Sequence, residues 1–225
     1  MTLPTHVWLL RHAETATPNV FHGAESDVGL SNLGHRQANA AADWFRALQP
    51  TAVISSGMRR AVDTAVPIAT ACRVPHRIEP DLHERRVGAM SGQSFMLSNG
   101  PWAETVAQWS NDNTSYTTDG AESYDQVRER VVSAWNDVVS TYASGRIVIV
   151  AHGIVCKVLL LTLLEGYGSM AWDKLGRVPN LAVSELFPTN HGWNAAQLLT
   201  VPEPVALLTN GLPTGVGVIP PRIEA

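Results

Sequence analysis

The feature that most constrains the fold is the apolar run at residues 146–151, with the sequence RIVIVA. It is continuous, rich in β-branched residues and bounded by Gly145 and Gly153, which favours a buried strand. It ends in His152, and an apolar helix is predicted directly afterwards, over residues 154–164. A buried strand followed at once by a helix is typical of a parallel sheet with helices packed on its faces.

Strand and helix patterns alternate along the rest of the chain. An apolar run at residues 7–10 predicts a first strand, and shorter β-rich runs predict strands at residues 51–55, 74–79, 181–186 and 193–199. Helices are predicted from an N-cap at Ser31 to about Leu48, from about residue 59 to a kink or early stop at Pro67, and over residues 122–142. A loop is predicted over residues 82–100. This order predicts a three-layer α/β/α fold with a mostly parallel central sheet.

Length and composition fit one large domain. The 225 residues are 45% hydrophobic, which is ample for a single core. From residue 202 onward the chain is rich in Pro and Gly and has few regular patterns. We therefore expect a single domain over residues 1–201 and a tail over residues 202–225, which becomes ordered only where it packs on the body or on a partner.

Charge and cysteine content argue against several function classes. The net charge of −4 provides no basic surface for nucleic acid or for an anionic membrane. No apolar run is long enough to span a membrane, and residues 1–10 are too short and uncharged for a signal peptide. Cys72 and Cys156 have no metal-ligand spacing, so we expect two reduced, buried thiols in a cytoplasmic protein. The sequence leaves open whether the chain forms a homodimer.

Charged residues and histidines follow the predicted strands, where a parallel sheet places its ligand. Arg11 and His12 end the first strand, Arg60 lies one helical turn after the second, Glu84 follows the third, and His152 ends the strand described first. The carboxyl ends of parallel strands meet at one edge of the sheet. Cations around the oxygens, an imidazole nucleophile and an acid for the leaving oxygen are what phosphoryl transfer requires. A metal site is the alternative, but two arginines would repel a divalent cation.

Five segments of the chain resemble, in the same order, motifs of the histidine phosphatase superfamily, which includes the cofactor-dependent phosphoglycerate mutases. Residues 9–15 (LLRHAET) are similar to the Arg-His-Gly-Glu-Thr signature. The others are residues 27–38, similar to Asp-x-Pro-Leu-Thr…Gly…Gln-Ala; residues 55–65, similar to Ser-Ser-Pro-Leu-x-Arg-Ala-x-x-Thr-Ala; residues 82–92, similar to the segment that holds the acid; and residues 151–153, similar to the segment of the second His. The resemblance covers most of the chain and implies a phosphoglycerate mutase-like fold.

The resemblance also implies a role for each matched residue. His12 would be the nucleophile that forms a phosphohistidine, and Glu84 would protonate the leaving group and then help to activate water. Arg11, Arg60 and His152 would hold the phosphoryl oxygens. Because arginine and imidazole supply the charge stabilisation, no metal and no other cofactor is expected.

Further phosphate contacts are expected next to these motifs. Gly153 precedes the predicted helix over residues 154–164, whose first N–H groups would be directed at the strand ends, and Thr15 lies in the first motif. Pro18 stands where many members of the family have an Asn that touches phosphate, so Asn19 or His22 is expected to take that place. Other departures from the family pattern are Ala13 in place of Gly, and Gly29 and Gly57 in place of Pro.

A phosphatase, a mutase and an inactive phosphate-binding module are the alternative functions. Residues 82–88 (LHERRVG) are close to the mutase segment Leu-Asn-Glu-Arg-His-Tyr-Gly, so Arg85 is a candidate for binding a substrate carboxylate or a second phosphate. Mutases then have a Lys and an Arg-Arg pair for the triose, whereas residues 93–116 contain no Lys or Arg. Residues 119–123 instead resemble the Gly-Gly-Glu-Ser of the phosphatase branch. We therefore predict a phosphomonoesterase that acts on a small phosphorylated metabolite, and the presence of all five main site residues argues against an inactive module.

Overall fold

A single sheet forms the centre of the molecule. The computed structural model describes residues 3–95 and 100–209, and in this part of the chain six strands form one sheet. They are β1 (His6–Arg11), β2 (Ala52–Ser55), β3 (His76–Ile78), β4 (Arg146–Ala151), β5 (Val183–Thr189) and β6 (Gly192–Thr200). Their order is β3-β2-β4-β1-β5-β6; the first four are parallel, whereas β5 pairs antiparallel with β1 and with β6. The predicted mostly parallel sheet is confirmed.

Seven α-helices lie in the described part of the chain. They are α1 (Asn32–Leu48), α2 (Arg59–Cys72), α3 (Pro101–Ser110), α4 (Tyr124–Thr141), α5 (Gly153–Leu163), α6 (Trp172–Leu175) and α7 (Glu203–Ala206). Short 3₁₀ turns occur at Pro80–Leu82, Gly88–Met90, Ser169–Ala171 and Leu207–Thr209. The sequence analysis does not predict α3, although a Pro in the first turn, here Pro101, is typical of a helix start.

The side chains of β1 alternate between two cores, one on each face of the sheet. Val7 and Leu9 pack in a cluster with residues of α4 and α5, whereas Trp8 and Leu10 pack in a cluster with residues of α1 and α2. All four are at most 1% exposed, as expected for an inner strand that is covered on both faces. The helices therefore form two layers around the sheet, which confirms the three-layer α/β/α prediction.

One predicted helix start agrees with the structure, whereas the early stop that was one of two alternatives at Pro67 does not occur. The Ser31 hydroxyl accepts a hydrogen bond from the third N–H of α1 at 2.9 Å and so caps that helix. Helix α2 does not stop at Pro67 but continues to Cys72. A proline removes one N–H from the helix, but Ile68 and Ala69 beyond it are buried in the core, and this packing offsets the loss.

The described part of the predicted tail packs on the body of the molecule. Helix α7 and the turn Leu207–Thr209 follow β6, and Val205 is 1% exposed in the same core cluster as residues of α1. Residues 210–225, the rest of the predicted tail, lie outside the described residues. The domain boundary at residue 201 stays a prediction. Among the described residues, no helix has the length and apolar character needed to cross a membrane.

Candidate active site

Two histidines meet at the carboxyl ends of β1 and β4. The two strands pair in parallel with Arg11 opposite Ala151, so the next residue of each strand is a histidine. The backbone N–H of His12 donates to the Ala151 carbonyl at 2.9 Å, and the ring centroids of His12 and His152 are 5.2 Å apart. Strand pairing therefore brings together two imidazoles that are far apart in the sequence.

The His12 ring is held in one tautomer. Its Nδ1 lies 2.7 Å from the Ala13 carbonyl oxygen, and because a carbonyl oxygen only accepts, Nδ1 carries the proton. Nε2 then has the free lone pair. The residue is 4% exposed, and burial, followed by the charges of Arg11 and Arg60, holds its pKa well below the ordinary value of 6.5. His12 is therefore neutral at physiological pH and has one nucleophilic nitrogen.

His152 is fully buried, and neither of its ring nitrogens has a hydrogen-bond partner in the described part of the chain. Burial, and then the charge of Arg60, lowers its pKa well below 6.5 as well. An unpaired buried polar group costs on the order of 1–3 kcal/mol, and a hydrogen-bonding ligand would remove that cost. His152 is also the N-cap of α5, so the N–H groups of Gly153 and Ile154 lie close by at the helix start.

Two arginines supply positive charge beside the histidines. Arg11 donates through Nη1 to the Val178 carbonyl at 2.8 Å, while its buried Nε has no partner among the described residues. Arg60 extends from α2 and donates to the carbonyls of Gly23 and Ser26, each at 2.9 Å. Burial is the main cause that lowers the pKa of Arg11 to about 10, and it lowers the pKa of Arg60 too. Both side chains remain cations at neutral pH.

The Glu84 carboxylate lies at the N-terminus of α5. Its Oε1 accepts from the backbone N–H of Arg85 at 2.9 Å, and its Oε2 accepts from that of Ile154 at 3.4 Å. The charge of Glu84 acts to raise the pKa of both Arg11 and Arg60, opposing the larger effect of burial. The carboxylate is therefore within electrostatic reach of both guanidinium groups and shares one edge of the sheet with the two histidines.

Arg130 of α4 holds the loop that contains Glu84, and the sequence analysis does not identify it. Its guanidinium donates to the backbone carbonyls of Asp81 and His83 at 2.8 Å and of Glu84 at 3.3 Å. Two of its nitrogens also pair with the Glu122 carboxylate at 2.8 and 2.9 Å. Glu122 precedes the N-cap Ser123 of α4, so helical periodicity does not relate it to Arg130 and no local sequence pattern reveals the pair.

The loop between β1 and α1, here called the first loop, brings some of the expected phosphate contacts toward the site. His22 Nε2 lies 2.9 Å from the Thr17 carbonyl and 3.5 Å from the Thr15 hydroxyl, so Nε2 carries the proton. Burial lowers the pKa of His22, and the charges of the two site arginines lower it further. Asn19 is exposed with a φ of 71°, and its side chain makes no hydrogen bond within the described residues. The structure thus places His22 near the arginines and beside Thr15, and it places the Asn19 side chain in solvent.

Arg85 is fully buried beside two tryptophans. Its Cζ lies 5.0 Å from the ring centroid of Trp109 and 5.6 Å from that of Trp102. Its Nε donates to the Glu122 carbonyl at 2.7 Å, whereas both terminal nitrogens lack a partner among the described residues. Burial lowers its pKa to about 10, and Glu84 is the largest of the charges that act to raise it. Its terminal nitrogens are therefore buried without a partner among these residues, and its role in substrate binding stays a prediction.

The donor set of this site suits a phosphoryl group. It consists of two neutral imidazoles, two guanidinium groups and one carboxylate at the carboxyl ends of parallel strands. In the part of the chain that the structure describes, no three His, Cys, Asp or Glu side chains are grouped as metal ligands would be. Guanidinium and imidazole groups stabilise phosphoryl oxygens, and a neutral imidazole is a nucleophile. Fold and site together define an α/β protein whose strand ends carry a donor set suited to phosphoryl transfer.

Comparison with known proteins identifies the family. The sequence profile of the histidine phosphatase superfamily (branch 1) matches residues 7–200, and the chain belongs to this superfamily. The metal-independent phosphoserine phosphatase of Arabidopsis thaliana is 31% identical over 195 residues, which are 84% of this chain and 79% of that protein. A probable phosphoglycerate mutase of Proteus mirabilis is 31% identical over 84% of this chain and 87% of that protein.

A solved structure extends the similarity to the fold. The structure of a mycobacterial glucosyl-3-phosphoglycerate phosphatase with inorganic phosphate is similar with a TM-score of 0.75 and 26% identity, over 88% of this chain and 98% of that chain. Three longer relatives from Mycobacterium species are 31% identical, and the chain spans 51% of their length. The predicted superfamily and fold class are confirmed, and the phosphatases among the relatives bear out the predicted phosphomonoesterase.

Proposed function

We propose that this protein hydrolyses phosphate monoesters of small metabolites through a phosphohistidine formed on His12. The observation that carries this proposal is the state of the His12 ring. It is neutral, its Nδ1 proton is bound to the Ala13 carbonyl, and its Nε2 is free beside His152 and two arginines. A fixed tautomer with a free lone pair is what a nucleophilic imidazole needs.

In the first step, His12 Nε2 attacks phosphorus and the bond between phosphorus and the ester oxygen breaks. We assign the oxygens of the transferred group to Arg11, Arg60, His152 and the N–H of Gly153. The unpaired Nε of Arg11 and the unpaired ring nitrogens of His152 support this assignment, because a phosphoryl group would give them partners. Thr15 and His22 are assigned to the same group from the side of the first loop. Fixed charges and donors of this kind supply most of the stabilisation in phosphoryl transfer.

The leaving oxygen needs a proton, and we assign Glu84, in its protonated form in the substrate complex, to provide it. Its half-buried carboxyl lies at the N-terminus of α5, within reach of Arg11 and Arg60. In the second step, water attacks the phosphohistidine, the bond from phosphorus to His12 Nε2 breaks, and Glu84 takes the proton of the attacking water. The product is inorganic phosphate, and both side chains return to their starting states.

We favour hydrolysis over the mutase reaction, in which the phosphoryl group moves from one position of the substrate to another. A mutase must retain the intermediate, and the sequence has no Lys or Arg between residues 93 and 116 for this purpose. Arg85 is the remaining candidate for that task, and it is buried against Trp102 and Trp109. With 3-phosphoglycerate and a bisphosphoglycerate primer, we expect release of inorganic phosphate. Efficient formation of 2-phosphoglycerate would establish the mutase instead.

We also propose that the protein acts in the cytoplasm, and subcellular fractionation of the native host tests this. Two unpaired cysteines, Cys72 and Cys156, support a reducing compartment. Homodimer formation stays a prediction from the sequence, and sedimentation of the full chain measures it directly.

The phosphoenzyme tests the central proposal. Rapid mixing with ³²P-labelled substrate followed by base quench should trap a species that is stable to base and labile to acid. His12→Ala should abolish it, whereas His35→Ala, at an exposed position of α1, should retain it in full.

Two outcomes would contradict this mechanism. Label trapped in His12→Ala would show that another residue is the nucleophile. An acid-stable adduct would indicate a phosphoserine, and Ser55 and Ser56 at the end of β2 would then be the residues to replace.

A further inference from the structure

Three loops form a rim beside the phosphate site, and backbone hydrogen bonds join two of them. We define the rim as residues 19–22, 93–95 and 176–178. The N–H of Phe21 donates to the Gln93 carbonyl at 2.8 Å, and the N–H of Phe95 donates to the Asn19 carbonyl at 3.2 Å. The rings of Phe21 and Phe95 meet edge to face, with centroids 5.9 Å apart. The first two loops of the rim are therefore held together, and the third loop contacts the site residue Arg11 through the Val178 carbonyl.

Two cationic side chains anchor that third loop on either side of Arg177. Lys157 Nζ donates to the Gly176 carbonyl at 2.7 Å, and Arg11 Nη1 donates to the Val178 carbonyl at 2.8 Å. The residue between them is exposed, and its guanidinium lies over the Phe95 ring, 5.1 Å from the centroid. Backbone anchors and a ring beneath the guanidinium reduce the freedom that Arg177 would lose when it binds a ligand.

Arg177 has no anionic partner in the part of the chain that the structure describes. None of the ion pairs or hydrogen bonds of these residues includes its side chain. Its charge is the largest electrostatic influence that lowers the pKa of Arg11, second only to burial. Arg177 is therefore within electrostatic reach of Arg11, and a bound anion would offset the repulsion between the two like charges.

The charges of the site residues, compared with those of a phosphate group, indicate that the substrate has a second anionic group. The phosphate of a monoester is close to a dianion at neutral pH, and Arg11 and Arg60 match those two charges. His12 and His152 are neutral, and Glu84 is uncharged when it acts as the acid. The charge of Arg177 then has no counterpart in the phosphate group.

We propose that Arg177 binds a carboxylate on the alcohol part of the substrate, so that the enzyme selects phosphomonoesters that carry a carboxylate. The planar guanidinium can donate two parallel hydrogen bonds to a carboxylate, which a hydroxyl group cannot accept in the same way. The inference rests on the proposed phosphatase function, and it assigns Arg177 to substrate selection and not to the chemical step.

Paired ligands that differ in one group test this proposal. The first pair is 3-phosphoglycerate and glycerol 3-phosphate, which differ in a carboxylate against a hydroxymethyl group. The second pair, 4-carboxyphenyl phosphate and phenyl phosphate, places the carboxylate farther from phosphorus. Each compound is measured as a competitive inhibitor of p-nitrophenyl phosphate hydrolysis, because inhibition reports binding whether or not the compound is turned over.

We expect the wild-type protein to bind the carboxylate member of at least one pair about tenfold more tightly, and Arg177→Gln to abolish that preference. Arg177→Lys should keep part of it, because the charge remains while the planar fork is lost. Arg46→Gln, at an exposed arginine of α1 that pairs with Asp43, should keep the whole preference.

Different results would overturn the two proposals separately. If p-nitrophenyl phosphate is hydrolysed but neither pair shows a carboxylate preference, or the preference survives in Arg177→Gln, the role of Arg177 is wrong and the phosphatase stands. If the wild-type protein hydrolyses no phosphate monoester and forms no phosphoenzyme, the proposed function fails and this inference fails with it.

Discussion

At the residue scale, burial of two histidines decides how the site and the fold respond to acid. His12 and His152 are 4% and 0% exposed, and both have a pKa well below 6.5, mainly through burial. In the unfolded chain the same residues titrate near 6.5. Between that value and their lowered folded-state values, the unfolded chain binds more protons than the folded protein does, so acid favours unfolding.

The first prediction concerns the free energy of unfolding as a function of pH. The contribution of these histidines is complete above about pH 6.5 and decreases as the pH falls, by up to about 1.4 kcal/mol per pH unit for each histidine. Urea unfolding should therefore show that the free energy of unfolding of the wild-type protein falls relative to that of His12→Asn/His152→Asn between pH 7 and pH 5. Parallel curves over this range would show that neither histidine is held neutral by the fold.

The second prediction concerns Glu84 as the proton donor. Positioned proton transfer contributes roughly 10²–10⁴-fold, and it is needed when the leaving oxygen is strongly basic. Glu84→Gln should therefore slow phosphoenzyme formation severely with an alkyl phosphate and far less with p-nitrophenyl phosphate, whose leaving group departs without a proton. Burst kinetics with both substrates isolates the first step from the water step. An equal loss with the two leaving groups would exclude Glu84 as the acid, and Asp81 and Glu104 would be tested next.

The main site residues are accessible from the sequence because they follow strong local patterns. Arg11, His12 and His152 come directly after buried apolar strands, and the ends of such strands meet in a parallel sheet. Arg177 does not follow a strand, and its significance depends on the Phe95 ring from another loop. No local pattern encodes a contact of that kind, so sequence reasoning does not find it.

At the scale of elements, helix α4 controls the position of the acid. The Arg130 side chain is 14% exposed and connects α4 to the backbone carbonyls of three residues between 81 and 84, while it pairs with Glu122. A side chain with several bonds to one loop fixes that loop in a single place. We infer that Arg130 is a positioning residue for Glu84.

The third prediction follows from this connection. Arg130→Met should reduce hydrolysis of alkyl phosphates by roughly 10–100-fold, since small displacements of a catalytic group have effects of that size. Hydrolysis of p-nitrophenyl phosphate should fall much less. The same change should lower the free energy of unfolding by about 3 kcal/mol, because it leaves Glu122 without its partner.

A matched change on the same helix separates positioning from general damage. Arg128 is half-exposed and pairs with Asp125, so Arg128→Met should alter neither rate by more than about twofold. If Arg130→Met reduces both substrates equally while the protein stays folded, the residue supports the fold and does not position Glu84.

Helices whose apolar residues recur at regular spacing are predictable from the sequence. Helices whose extent depends on packing against the rest of the molecule are not. Helix α4 has apolar residues at regular spacing and was predicted over residues 122–142, close to the observed Tyr124–Thr141. Helix α2 runs past Pro67 because its far end is buried, which the local pattern does not reveal. Helix α3 buries Thr105 and Trp109 while much of it is exposed, so its pattern is weak.

At the scale of the whole molecule, the layers were predictable and the strand order was not. Alternating strands and helices imply a mostly parallel sheet with helices on both faces. They do not specify that β4 lies between β1 and β2, or that β5 adds to the sheet in the antiparallel sense. Those choices depend on which strands can be covered on both faces, and this is a property of the complete chain.

The position of β1 has a consequence for synthesis on the ribosome. This strand is made before both of its neighbours in the sheet, which are β4, where His6 pairs with Arg146, and β5, where Val7 pairs with Leu186. At about 5–20 residues per second, the wait for the first of these neighbours is roughly 7–30 s. During that time the nascent chain carries an apolar strand without its final neighbours, and the two histidines cannot meet. Enzymatic activity therefore reports that β1 has paired with β4 at the centre of the sheet.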